Sequence, residues 1–304
     1  MRDPLGLRMD LRDGGSLVAP LARAGLGAPQ AATDLQSDPF APLLQAAARM
    51  SAPAGTSARA RGRLLHRVSH SAAASRALHT QRLADTAAVV AASGVTMRRL
   101  YRAAATPAQQ RPGEPEAVTL VELAAGASWC GPATALQREW LVLRGSVELG
   151  AVTLQEHDYH VVPAGLDAGP WLSHGGALLY QREARPEAGA PSERFTQRAE
   201  AGVGGNGGEW AEFGPGIKRR VLWQQAGQAA MLYHALPGAA VPHHGHGHDE
   251  ECLMLGGDLF LDEVLLRPLD YQIAPAGTEH GSVSTDTGAL LFAHGDVELD
   301  LKAG

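Results

Sequence analysis

The sequence predicts a mainly β protein in which two similar β-barrels follow a partly disordered, helical N-terminal segment. Three observations carry that expectation. Beyond residue 90 the chain runs in short stretches of alternating apolar residues broken by Gly and Pro, the pattern of half-buried strands. Positions from Gly126 to Leu179, among them Glu139, Leu141, Gly145, Leu154, Asp158, Tyr159, Pro163 and Gly165, recur 112 residues later as Gly238, Glu251, Leu253, Gly257, Leu266, Asp270, Tyr271, Pro275 and Gly277, ending at Leu291. Ahead of residue 58, by contrast, Ala, Gly, Pro, Ser and Asp dominate.

Composition sets outer bounds. With 304 residues and 45% hydrophobic content the chain can fill one large core or two ordinary ones, and with only 5% aromatics that core draws on Leu, Val and Ala. No apolar run approaches the ~18 residues of a membrane span. The opening MRDPLGLRMDLRDGG has no apolar stretch that would make a secretory signal. Two cysteines, Cys130 and Cys252, are too few for a disulfide framework or a Cys-rich zinc site, so a cytoplasmic location is expected. The net charge of -6 divides unevenly, with +9 on residues 1–111 and -15 on the rest. A basic head attracts acidic protein or nucleic acid at long range.

Element by element, residues 1–58 read as a low-complexity arm with one short apolar stretch, Phe40 to Met50. Residues 59–90 read as an amphipathic basic helix region: Leu64, Leu65, Val68, Ala72, Leu78 and Leu83 recur at helical spacing among Arg61, Arg63, Arg67 and Arg76. His66 and His70 share a face of that helix without a third ligand nearby. Residues 91–183 form the first barrel, 184–208 a linker, and 209–304 the second barrel. The repeat also links GVTMRRLY from Gly94 with GIKRRVLW from Gly216, and this offset leaves ten extra residues in the first copy, placed in a hairpin loop at 106–115. Two homologous barrels in one chain are expected to pack as a pseudo-dimer, each covering the other's sheet edge.

The chemistry concentrates in the second copy, in Pro242-His243-His244-Gly245-His246-Gly247-His248-Asp249-Glu250-Glu251. On a regular strand His244, His246, His248, Glu250 and Cys252 project to one face. Imidazoles followed by a carboxylate supply the neutral nitrogens and the charge-balancing oxygen that a divalent metal needs. His280, behind Pro275-Ala276-Gly277, can return to that face. His243 and His248 are surplus: either they support the ligands from behind, or His248 competes with His244 for a ligand place.

Gly238, His244, His246, Glu250 and Gly257 fill every fixed position of a frame that resembles the first cupin motif, GX5HXHX3EX6G, and Pro275, Gly277 and His280 resemble the second, PXGXXH. Leu269 stands in place of the leading Gly of that second motif and Ser284 in place of its terminal Asn. Across residues 209–294, and more weakly 94–183, the chain resembles the ChrR-type cupin of zinc-dependent anti-sigma factors. The resemblance implies two cupin-type barrels and one divalent metal ion in the second, zinc before Fe, Ni or Mn, held by His244, His246, Glu250 and His280. It also implies a regulatory rather than an enzymatic role. In the family the sigma-binding head carries its own zinc site with an HXXXCXXC motif, whereas no cysteine precedes Cys130 here.

The first copy has Pro132, Thr134, Arg138 and Ala168 at the four ligand positions, so it is expected to keep the fold without the site. His157, His160 and His174 match no ligand position and read as surface or satisfied histidines. The resulting expectation is a metal-binding sensor of transcriptional stress response whose residues 59–90 hold an ECF-type sigma factor or another acidic protein. No membrane or direct nucleic-acid contact is expected, and a homodimer is allowed. The alternative is an Fe-dependent dioxygenase acting on a small carbonyl compound, for which Glu279 is the one nearby acid or base and is expected to turn outward.

Overall fold

The computed structural model describes residues 78–104, 111–131, 133–199 and 209–301. These are mainly β, and the one helical element among them is a single 3-10 turn, Leu83–Asp85. None of their helices is long and apolar enough to cross a membrane. The strands ahead of and within the first copy are β1 (His79–Gln81), β2 (Ala88–Ala92), β3 (Val95–Arg102), β4 (Pro115–Leu123), β5 (Ala127–Cys130), β6 (Gln137–Leu149), β7 (Val152–Gln155), β8 (Tyr159–Val162), β9 (Pro170–Ser173) and β10 (Ala177–Ala184). Next come β11 (Phe195–Gln197), β12 (Ala211–Gly214), β13 (Ile217–Gln225), β14 (Gln228–Ala235), β15 (Ala240–Val241), β16 (His244–Gly245), β17 (Glu250–Gly257), β18 (Leu259–Leu261) and β19 (Val264–Leu266). The last five are β20 (Tyr271–Ala274), β21 (Glu279–His280), β22 (Val283–Ser284), β23 (Ala289–Asp296) and β24 (Asp300–Leu301).

The two large sheets have matching strand orders. One runs β11-β8-β6-β10-β4-β3-β2 and the other β1-β20-β17-β23-β14-β13-β12. Alternation along each strand splits its side chains between two cores. One set packs against a smaller layer within its own copy: Trp140, Val142, Trp171 and Leu179 in the first, Met254, Leu259, Leu266 and Leu291 in the second. The other set, including Leu120, Leu141 and Tyr180 with Leu232, Leu253 and Phe292, forms a single cluster joining the copies.

The outermost strand of each sheet comes from the segment that precedes the other copy. β1 lies ahead of the first copy but pairs with β20 of the second, while β11 lies ahead of the second and pairs with β8 of the first. The same lock closes both arms. Arg82 bonds Asp270 at 2.8 Å and donates to the Leu265 carbonyl, as Arg198 bonds Asp158 at 3.0 Å and donates to the Thr153 carbonyl. Each lock also uses a backbone N–H, Leu83 to Asp270 at 3.0 Å and Ala199 to Asp158 at 2.5 Å. The expected mutual covering of edges is thus made by exchanged strands. It also corrects two local expectations. Residues 79–81, assigned to the basic helix, are edge strand, because their backbone groups find partners in the distant β20; the rest of that region up to residue 77 lies outside the described residues. Residues 195–197, assigned to the linker, are likewise strand.

Between the two sheets lies a buried ionic cluster. Arg182 bonds Glu139 at 3.0 Å and Glu251 at 2.6 Å, with all three side chains at most 2% exposed. Tyr180 and Tyr271 donate to Glu251 at 3.0 and 2.9 Å, and Tyr159 donates to Glu139. Burial opposes ionisation of Glu139, but Arg182 and His294 outweigh it and hold the carboxyl well below its ordinary value.

Candidate metal centre

Backbone pairing brings the two motifs of the second copy together. His244 on β16 lies directly opposite His280 on β21, and Gly245 opposite Glu279. The His246 N–H donates to the Thr278 carbonyl at 3.1 Å, and the Gly277 N–H donates back to the His246 carbonyl at 2.8 Å. Glu250 begins β17 opposite Ala274 of β20. At Gly257, which closes the first motif, φ is +77° and an added Cβ would lie 1.8 Å from the Gly288 carbonyl oxygen, so only glycine fits.

The four residues expected to hold metal converge. Ligand atoms of His244, His246 and Glu250 all lie within 4.8 Å of one another. His246 Nε2 and His280 Nε2 each lie 3.5 Å from Glu250 Oε2. His244 Nδ1 is 2.8 Å from the Pro242 carbonyl oxygen, which leaves Nε2 for the site. The three histidines are at most 4% exposed. Burial pushes the His246 imidazole down. At His280 burial also opposes the charge, yet Asp262 and Glu250 overcome it and push the ring up to about 9. Glu250, despite burial, is held down to about 2 by the surrounding imidazoles. The cluster therefore favours positive charge.

A divalent cation fits this donor set. Both ring nitrogens of buried His246 lack a hydrogen-bond partner, a cost of roughly 1–3 kcal/mol per group unless something binds there. Three imidazoles and one carboxylate suit Zn, Fe, Ni and Mn. The surplus histidines are engaged elsewhere: His243 pairs with Glu279 at 2.8 Å, and His248 with Asp296 at 2.5 Å. Glu279 is exposed.

A cavity of ≈ 70 Å³ opens on His244 and Glu250. Its walls are mostly apolar, among them Ile217, Val241, Leu261, Val283 and Leu291, with Tyr233, Cys252 and Ser284 also exposed to it. Burial pushes the Tyr233 hydroxyl and the Cys252 thiol up, so both stay protonated near neutral pH.

The first copy fills the same space. The repeat places Trp140 and Trp171 where the second copy has Cys252 and Val283, and the two indoles are fully buried with ring centroids 4.8 Å apart. Arg138, at the place of Glu250, is buried and donates to the Leu166 carbonyl at 2.8 Å. Thr134 and Ala168 offer no metal donor comparable to the histidines they replace, and Pro132 lies outside the described residues. His174 is exposed beside Glu148 at 3.3 Å. His160 is not a surface residue: it is 3% exposed, its Nδ1 sits 2.8 Å from Thr196 Oγ1, and its Nε2 has no partner. Sequence reasoning missed the cavity, although tryptophan against cysteine and valine at the 112-residue offset is its signal.

Residues 199–298 match the family model of the ChrR cupin-like domain. No curated protein matches the sequence significantly. Among solved structures, AerE from Microcystis aeruginosa is similar over 70% of this chain and 97% of its own, at 13% identity and a TM-score of 0.52. A variant of Bacillus subtilis oxalate decarboxylase is similar over 75% of this chain and 78% of its own, at 13% identity and a TM-score of 0.51. The pirin YhhW from Escherichia coli, in complex with nickel(II), is similar over 72% and 98%, at 11% identity and a TM-score of 0.50. At these identities the likeness is one of fold, and its extent takes in both copies.

Proposed function

We propose, from the premise that residues 199–298 are a ChrR-type cupin domain, that this protein is a metal-dependent regulatory sensor. The second cupin holds one divalent ion, zinc first among the candidates, through His244, His246, Glu250 and His280. When bound, the ion supplies Lewis-acid attraction for an oxygen donor. Val241, Leu261, Val283 and Leu291 exclude water and select a small ligand with an apolar body. The N-terminal residues 59–90 meet the partner, an ECF-type sigma factor or another acidic protein, and β1 ties the end of that segment to β20 of the sensing domain.

The observation that carries this reading is an apolar cavity that reaches the buried His3Glu cluster at His244 and Glu250 and that, apart from these two, has no group poised for proton transfer among the described residues of its wall. General acid–base catalysis needs a side chain that titrates near the working pH. Tyr233 and Cys252 are pushed away from it, and Glu279 is engaged with His243 outside the cavity. A dioxygenase of small carbonyl compounds is the second reading, favoured by the direct opening of the cavity on His244 and Glu250. Protein purified without chelators or affinity histidines should contain one ion per chain, consume no oxygen with a diketone, and capture a sigma factor by mild crosslinking in its host. Oxygen uptake with turnover of the diketone, without such a partner, would overturn regulation in favour of catalysis.

A further inference from the structure

The second cupin carries an acid in a place where its sister has a glycine. β6 and β7 of the first copy are joined by the two-residue turn Gly150-Ala151, and β18 and β19 of the second by Asp262-Glu263. Both turns need a positive φ at their first residue, +61° at Gly150 and +53° at Asp262. Glycine takes that conformation freely, whereas aspartate tolerates it at a small cost. The second copy therefore bears a local cost that the first avoids. What the aspartate gains is contact with a metal-site residue: Asp262 Oδ2 lies 3.5 Å from Nδ1 of His280, a buried nitrogen with no hydrogen bond of its own. At that separation it is a charge contact just beyond a full hydrogen bond. The other carboxylate oxygen is fixed by the N–H groups of Gly281 at 2.7 Å and Ser282 at 3.0 Å. In the first copy the counterpart of His280 is Ala168, and there the carboxylate is absent too.

We infer that Asp262 is a positioning residue of the metal centre: its carboxylate holds the proton of His280 on Nδ1 and so presents Nε2 to the ion. This rests on the metal-binding reading above. A carboxylate behind a ligating imidazole fixes its tautomer and ring orientation, and removing one typically weakens metal binding about 10- to 100-fold. The competing role is purely structural, a cap for the backbone of Gly281 and Ser282.

Two variants separate these roles. Asp262→Gly restores the residue the turn favours and removes the carboxylate. Asp262→Asn keeps Oδ1 on the two N–H groups and turns an amide N–H toward the Nδ1–H of His280, so the cap survives while the acceptor is lost. Zn affinity is measured by competition with a chromogenic chelator on the full chain, beside the melting temperature of the metal-free protein. Both variants should bind Zn about 10- to 100-fold more weakly, and Asp262→Asn should do so with the cap still in place. Wild-type affinity in Asp262→Asn, with the loss confined to Asp262→Gly, would overturn the assignment in favour of the cap. Wild-type protein that binds no divalent ion would instead overturn the metal reading itself, and the inference with it.

Discussion

The two copies of the repeat share a strand order, a pair of exchanged arms and a set of glycines, yet they are filled by opposite rules. Where the second copy has Cys252, Val283 and Glu250, leaving a cavity beside three histidines, the first has Trp140, Trp171 and Arg138, which close it. The difference teaches that the frame and the site are separable. Gly145 and Gly257 illustrate the frame: at each, an added Cβ would run into the carbonyl oxygen of the facing glycine, 2.2 Å away in the first copy and 1.8 Å in the second. That constraint acts whether or not a metal is present. Ligands answer only to the ion, so a copy that no longer binds it is free to lose them.

The largest expected effect breaks the asymmetry at its source. His246→Ala should remove most of the bound metal, since the remaining donors cannot complete the coordination sphere, while His243→Ala should leave the metal content near one ion per chain because His243 faces Glu279. Elemental analysis of both variants after gel filtration checks this. Equal loss in both would mean that the framed register is wrong, and two ions per wild-type chain would mean that the first copy still binds.

The next prediction concerns the cluster between the copies, which is lopsided despite the repeat. Arg182 serves Glu139 and Glu251 together, and its counterpart in the second copy is His294, 3.4 Å from Glu139. Arg182→Met leaves two buried carboxylates without their shared cation, and breaking a buried pair in this way costs about 3–5 kcal/mol. Urea unfolding of the metal-free protein measures it. His294→Ala removes only the longer contact and should cost less; a larger cost for His294 would reverse the roles assigned to the two positions.

Much of this comparison was legible in the sequence. The repeat and the Gly and Pro frame follow from spacing, and strand parity brings His244, His246 and Glu250 to one face together with His248 and Cys252; the narrower set with His280 comes from the resemblance to the two cupin motifs. The exchanged arms were not legible: His79–Gln81 is strand only because β20 is there to pair with it, a contact across 192 residues between Thr80 and Gln272 that no local pattern encodes. Asp262 was invisible for a similar reason. It is one acid among many in the chain, and only the folded hairpin brings it to His280.

A smaller effect distinguishes the copies by pH. Burial, helped by Arg194 and Arg198, pushes His160 of the first copy down to about 4 from an ordinary 6.5, so the unfolded chain takes up a proton that the folded one refuses. Its contribution to stability is full above pH 6.5 and is lost as pH falls toward 4, by up to about 3 kcal/mol. His280 of the metal-free second copy has the opposite sign. With its ring pushed up to about 9, its contribution is full below pH 6.5 and is lost as pH rises through 9. His160→Gln, which installs the residue found at the matching position Gln272, should flatten the acid limb of metal-free stability and leave the alkaline limb unchanged. An acid limb identical to wild type would show that His160 does not carry it.

The smallest effect tests one backbone position in both copies. His157 and Leu269 are equivalent, and both have φ of +68°, where a side chain costs roughly 1 kcal/mol relative to glycine. In the second copy this is the position at which Leu269 replaces the glycine of the motif, and Leu269 is packed against the apolar cluster between the sheets. His157 is half-buried, with its Nε2 3.9 Å from Glu156. The same substitution should therefore cost more at Leu269 than at His157. At His157 the relief of the strained conformation, up to about 1 kcal/mol, offsets the loss of its exposed-side contacts, while Leu269→Gly should destabilise by about 1 kcal/mol or more, because lost apolar burial outweighs that relief. Parallel urea titrations of the metal-free variants measure both. A larger cost at His157 would mean that its side-chain contacts outweigh the packing of Leu269, and stabilisation by Leu269→Gly would mean that this packing counts for less than the backbone strain.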